Sequence, residues 1–127
     1  MKSRFSIAWK GSRQPRKQRK RRANAPLHVR GSFLNAPLIK DLRAKHGART
    51  LRVRVGDKVR VQRGQFKGRT GSVERVNPKE MKVFITGVDL VKKDGNTKVP
   101  YPVHASNVSI VELDLSDKRR NAALKEK

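Results

Sequence analysis

Cysteine is absent from the sequence, which removes disulfides, thiolate nucleophiles and cysteine-bearing zinc sites and is compatible with a reducing compartment. Acidic side chains are scarce, ten Asp and Glu against 33 Lys and Arg, and none precedes Asp41. The few carboxylates form no close pair and no Ser/His/Asp constellation, so neither enzymatic activity nor a small-molecule substrate is expected. Aromatic residues make up 5% of the chain and apolar residues 35%, too little for one core spanning all 127 residues. One small domain with polar extensions fits better. No apolar run approaches the roughly 20 residues that cross a bilayer, so no membrane partner is expected. The basic start is followed by no apolar stretch of secretory type; its arginine-rich, acid-free composition also suits an organellar transit peptide, but cytoplasmic residence is the default expectation. The three histidines, His28, His46 and His104, lie far apart with no cysteine beside them, and neither metal nor cofactor is expected.

What the chain has is positive charge. A formal net charge of +23 and a pI near 11.7 disfavour a compact free protein by self-repulsion and favour a polyanion, because Lys and Arg release condensed counterions when they neutralise phosphates. Nucleic acid is the expected partner. Residues 1–40 hold twelve of the basic side chains, about half of the net charge. Among them Arg16, Lys17, Arg19, Lys20, Arg21 and Arg22 form a near-continuous run that cannot collapse by itself and is expected to stay disordered until it meets its partner. Such a run serves as a solvated tail, a nuclear localisation signal or an arm that orders along phosphates; its direct lead into a structured segment favours the arm. Trp9 lies in this arm with no core around it, and an RNA base or a neighbouring protein is its expected contact.

Further along, Ala25-Pro26-Leu27-His28-Val29-Arg30 reads as extended, since the residue before proline is pushed from the helical region. A short helix is expected from about Ala36 to His46, with Asn35 as N-cap, Pro37 in the first turn, Leu38 and Leu42 on one face, Arg43 on the basic face and Gly47 past the end. Strands follow at Leu51–Val55, Lys58–Gln62, Gly71–Val76 and Met81–Val91. Asp94-Gly95 signals a hairpin returning through Thr97–Tyr101, and Val108 to Leu113 closes the set. Short strands joined by tight turns predict a small curled sheet or barrel. From Ser116 onward the chain is expected to be a frayed helix or a disordered tail.

Between the second and third of these strands lies a glycine-punctuated basic loop. Gly64, Gly68 and Gly71 permit backbone dihedrals that other residues resist and let main-chain N–H groups approach phosphate oxygens, while Arg63, Lys67 and Arg69 supply charge. The glycines also serve plain turn geometry, and both roles are expected. No Gly-Lys-Ser/Thr follows at the spacing of a triphosphate-binding loop. Phe66 at the loop tip has two readings, a cap on the core or a stacking platform for a base, with the core favoured. After Pro102, His104, Ser106 and Asn107 form a polar cluster suited to backbone hydrogen bonds or to ribose contacts.

The pattern Gly56-Asp57-x-Val59-x-Val61-x-x-Gly64-x-x-Lys67-Gly68-x-x-Gly71-x-Val73 resembles the KOW motif of SH3-like barrels in ribosomal proteins and NusG-type elongation factors. Arg16 to Lys20, Ala25-Pro26-Leu27-His28, the Leu38–Arg43 helix and His104-x-Ser106-Asn107-Val108 are similar to the archaeal and eukaryotic branch of one family, large-subunit ribosomal protein twenty-four in the universal naming and twenty-six in eukaryotes. A segment before Gln14, with Phe5, Ile7 and Trp9, is longer than in archaeal members, and Ala105 stands where the pattern has proline. The insertion and longer basic tail of eukaryotic members are missing, which favours the archaeal type. The resemblance implies a mainly β, SH3-like barrel at residues 51–114, an extended basic arm at 1–34, a short helix and connection at 35–50 and a polar tail at 115–127. It also implies binding to large-subunit ribosomal RNA beside neighbouring ribosomal proteins, near the nascent-chain exit and early in assembly. His28, Arg30 and Arg43 join the arm, loop and His104 cluster as expected RNA-facing residues. The competing expectation is a KOW-type transcription elongation module that binds RNA polymerase.

Overall fold

Val59 and Val61 alternate with Lys58 and Arg60 along one short strand, and the alternation separates them: the valines are buried while Lys58 and Arg60 face outward. This strand is central to the computed structural model, which describes residues 5, 6, 8, 9 and 11–125. In chain order the elements are helices α1 (Pro15–Asn24) and α2 (Leu27–Ser32), strand β1 (Asn35–Pro37), helix α3 (Lys40–His46), then β2 (Thr50–Arg52), β3 (Lys58–Val61), β4 (Thr70–Asn77), β5 (Lys82–Ile85), β6 (Asp89–Val91), β7 (Lys98–Pro100), β8 (Val103–His104), a 3-10 turn at Ala105–Asn107, β9 (Val108–Glu112) and helix α4 (Lys118–Lys125). The fold is mainly β, a small SH3-like barrel.

Five antiparallel strands in the order β8-β5-β4-β3-β9 form the principal sheet. A register shift between Lys58 and Val59, and another between Val73 and Arg75, bend it, as bulges do. Beyond β9 a bridge from Ile110 to Leu38 leads to the β1–β2 pair, so both sheets enclose one core containing Leu34, Leu38, Val53, Val73, Ile85 and Ile110. Burying a side chain of this size contributes about 1.5–3 kcal/mol.

Several boundaries differ from those read in the sequence. The arm's basic run is helical as α1: Lys, Arg and Gln are good helix formers, Pro15 occupies the first turn, Arg21 and Arg22 complement the dipole at the last turn, and Pro26 ends it through Ala25. The extended conformation expected across residues 25–30 is limited to Ala25 and Pro26, after which α2 begins. The helix expected from Ala36 starts at Lys40. Asn35–Pro37 pair with β2, and the N–H groups of Leu38 and Ile39 donate to Arg49 O (3.0 Å) and Ile110 O (3.2 Å), so barrel closure outweighs the capping signal of Asn35. Gly47 does end the helix, in a left-handed conformation with φ of 66°. The strand expected to reach Val55 stops at Arg52, and the long Met81–Val91 run is divided at Gly87 into β5 and β6. Asp94-Gly95 lies in the β6–β7 hairpin, where Asp94 Oδ1 accepts from the N–H groups of Asn96 and Thr97; those bonds hold its carboxyl below the ordinary value.

The end read as a frayed helix or a disordered tail is a helix, and it is anchored rather than frayed. Helix α4 packs on the barrel with Leu124 and Arg120 buried. Arg120 forks onto the fully buried Asp57 through two 2.6 Å bonds and also donates to Asp114 O (2.9 Å) and Arg52 O (3.1 Å). Asp57 accepts the N–H groups of Arg54 and Asp114, each at 3.0 Å. The aspartate of the loop motif's first turn is thus the anchor for the last helix.

Candidate nucleic-acid interface

The loop between β3 and β4 is closed by its own backbone: Lys67 N–H donates to Gly64 O (3.2 Å), Gly68 N–H to Val61 O (2.8 Å) and Arg69 N–H to Phe66 O (3.1 Å). Those three N–H groups are therefore turned inward, and the side chains of Arg63 and Lys67, both exposed, present the charge. Gly64 and Gly68 hold φ of 92° and 89°, the left-handed region that other residues resist. Gly71 has a different task from the one expected. Its φ is not positive, but an added Cβ would lie 2.3 Å from the carbonyl oxygen of Thr86, so it permits close approach of β4 to the end of β5. Phe66 is buried with its ring tilted at 5.1 Å from Tyr101, the core position favoured by the sequence. Arg69 crosses that ring at 5.1 Å and donates to Gly87 O (2.8 Å), tying the loop to the β5–β6 turn.

Pairing of β5 with β8 sets Lys82 opposite His104, and this register carries the polar cluster to the loop. Arg63, Gly64, Lys82, His104 and Asn107 meet around a cavity of about 120 Å³ whose wall includes Phe66 and Tyr101. Asn107 O accepts from Gln62 N–H at 2.8 Å, joining the two segments directly. His104 Nδ1 accepts the Ser106 N–H (3.2 Å) and lies 2.8 Å from Ser106 Oγ, so the neutral ring carries its proton on Nε2 as a free donor tautomer. Burial, and then the charges of Lys82 and Arg22, push the His104 pKa below its ordinary value. Lys82 was not singled out in the sequence; its place depends on strand register, which no local pattern announces.

The arm supplies a second cationic surface. Arg16, Lys17, Arg19 and Lys20 are exposed on α1, and Arg22 is exposed at its end with its charge felt at His104. Arg21 instead lies over aromatic rings, 4.6 Å from the Trp9 centroid and 5.3 Å from that of Phe5. Ile7, read with them in the sequence, lies outside the described residues. Arg30 is engaged within the protein: it donates to Ala23 O, to Ala25 O at 2.9 Å and to Lys79 O at 3.0 Å, bracing the corner between α1 and α2 against the β4–β5 turn. Arg43, on α3, donates through Nε to Leu38 O at 2.7 Å, and His28 is exposed on α2. Neither residue borders the loop cavity. Among the described residues no three His, Asp or Glu side chains gather as metal ligands, and no helix is long and apolar enough to cross a membrane.

A five-stranded barrel with this loop, rim and basic arm defines a KOW-type β-barrel protein with a cationic face. The chain belongs to the family of ribosomal proteins called L26 in eukaryotes and L24 in archaea, whose family model matches residues 12–127. That is a family of structural ribosomal proteins rather than of catalysts. The chain is 46% identical over 121 residues to the large ribosomal subunit protein uL24 of Nanoarchaeum equitans, covering 95% of this chain and 81% of that protein. It is 50% identical over 116 residues to uL24 of Methanocorpusculum labreanum, with 91% of this chain and 95% of that protein covered. The match to uL24 of Methanospirillum hungatei is 50% over 113 residues, with 89% and 93% covered.

Proposed function

We propose that the protein is a structural constituent of the large ribosomal subunit that binds large-subunit ribosomal RNA, with the barrel rim and the arm acting together. The observation that carries this reading is the convergence of Arg63 and Gly64 from the loop with Lys82 of β5, His104 of β8 and Asn107 of the 3-10 turn around one small cavity. A rim with cations, an Nε2 donor and an amide offers partners for phosphate and ribose oxygens, the groups through which folded RNA is recognised by shape. Affinity comes mainly from the cations of the rim and of α1, with the arm, residues 1–34, lying along phosphates. The proposed place near the nascent-chain exit, the early entry into assembly and the cytoplasmic location rest on the family resemblance.

The test is competition at physiological salt between large-subunit ribosomal RNA and duplex DNA for the intact protein. Preference for the ribosomal RNA is expected; equal competition by DNA overturns the reading. Co-sedimentation with RNA polymerase and absence from large subunits would support the elongation-module alternative instead.

A further inference from the structure

The arm holds a feature that phosphate neutralisation alone leaves unused. Phe5, Trp9, Lys17, Lys20 and Arg21 line a cavity of about 270 Å³, close to the lower bound of about 300 Å³ for small-ligand sites. Arg21 is also 6.0 Å from the Phe33 centroid, so three rings surround one guanidinium. Its Nε is buried with no hydrogen-bond acceptor, and none of the ion pairs among the described residues involves the arm. The cup therefore combines aromatic faces with cations that lack an anion. Phe5 and Trp9 precede residue 12, where the family match begins, so these two rings lie outside the matched region.

We propose that this cup takes one unpaired RNA nucleotide, the base against Trp9 and Phe5 and the phosphate toward Lys17 and Lys20; the inference rests on the RNA-binding reading above. A base-paired helix keeps its π-faces stacked inside, whereas a bulged or looped nucleotide offers a face to an aromatic side chain and its phosphate to a cation. An acidic peptide would satisfy the lysines but leave the rings without a flat partner. The arm would then hold RNA at one fixed point as well as by diffuse charge.

Trp9 is the only tryptophan, so its fluorescence reports the cup directly. The intact protein is titrated with a short oligoadenylate, an RNA duplex, heparin and adenosine monophosphate, with occupancy followed independently by probe anisotropy. Oligoadenylate should quench Trp9 severalfold more than duplex or heparin at equal occupancy. Trp9→Ala should weaken oligoadenylate binding at least about fivefold while leaving duplex binding unchanged, and Trp9→Phe should retain most of it. Equal quenching by heparin, or oligoadenylate binding without quenching, overturns the cup while leaving the ribosomal RNA reading intact. Quenching by adenosine monophosphate at the same nucleotide concentration overturns the polymeric source. Failure to bind any RNA, ribosomal RNA included, overturns the broader reading and the cup with it.

Discussion

Replacing Arg120 with methionine would leave the Asp57 carboxylate buried against two backbone N–H donors and no cation. Breaking a buried pair from one side costs about 3–5 kcal/mol, so R120M should shift the urea midpoint strongly at an unchanged slope. The double variant Asp57→Leu with Arg120→Met should recover part of the loss. Recovery stops short of complete because the N–H groups of Arg54 and Asp114 then lack their acceptor. Gly71 and Gly68, alike in the sequence motif, should separate in a thermal melt. Gly68→Ala meets open space and bears only the left-handed strain of about 1–2 kcal/mol, whereas Gly71→Ala drives a methyl group into the Thr86 carbonyl and should destabilise more. His104 gives a pH dependence. Its folded pKa lies below the unfolded value of about 6.5, so the folded state binds fewer protons. The contribution of His104 is present above that value and lost as pH falls from it through the folded pKa. NMR titration of the ring checks this, and His104→Asn should remove that part of the stability profile.

Elements were legible where a local pattern decided them. Val59 and Val61 against Lys58 and Arg60, Gly47 at the end of α3 and the Asp94-Gly95 hairpin all have causes within a few residues of themselves. The start of α3 was not, because the N–H groups of Leu38 and Ile39 find acceptors at Arg49 and Ile110, whereas β2 ends early at a local turn in which Arg54 N–H donates to the Asp57 carboxylate and Arg54 O accepts from Asp57 N–H. The interface divides in the same way: the cations of the loop and arm could be read from composition, whereas the meeting of Lys82 with His104 needed the β5–β8 register. Helix α4 was the element most undervalued, since Arg120 looks like one more basic residue until its partner is known. Ending the chain after Asp117 removes α4 and Leu124 from the core, and the truncated protein should melt well below the intact one by circular dichroism.

On the scale of the molecule, charge and structure are unevenly shared. The barrel holds the core, and α1 contributes no buried residue to it although it carries much of the positive charge. Deleting residues 1–24 should therefore leave the barrel's melting transition in place while weakening RNA binding and flattening the slope of log affinity against log salt; an unchanged slope would remove the arm from phosphate binding. The pairing of Asp57 with Arg120 has a further consequence in time. Synthesis makes the carboxylate early and its guanidinium 63 residues later, so a nascent barrel that closes first must bury an unmatched charge or leave that corner open. Closure is less favourable until α4 has emerged, and a polypeptide halted before Arg120 carries its own mark of incompleteness.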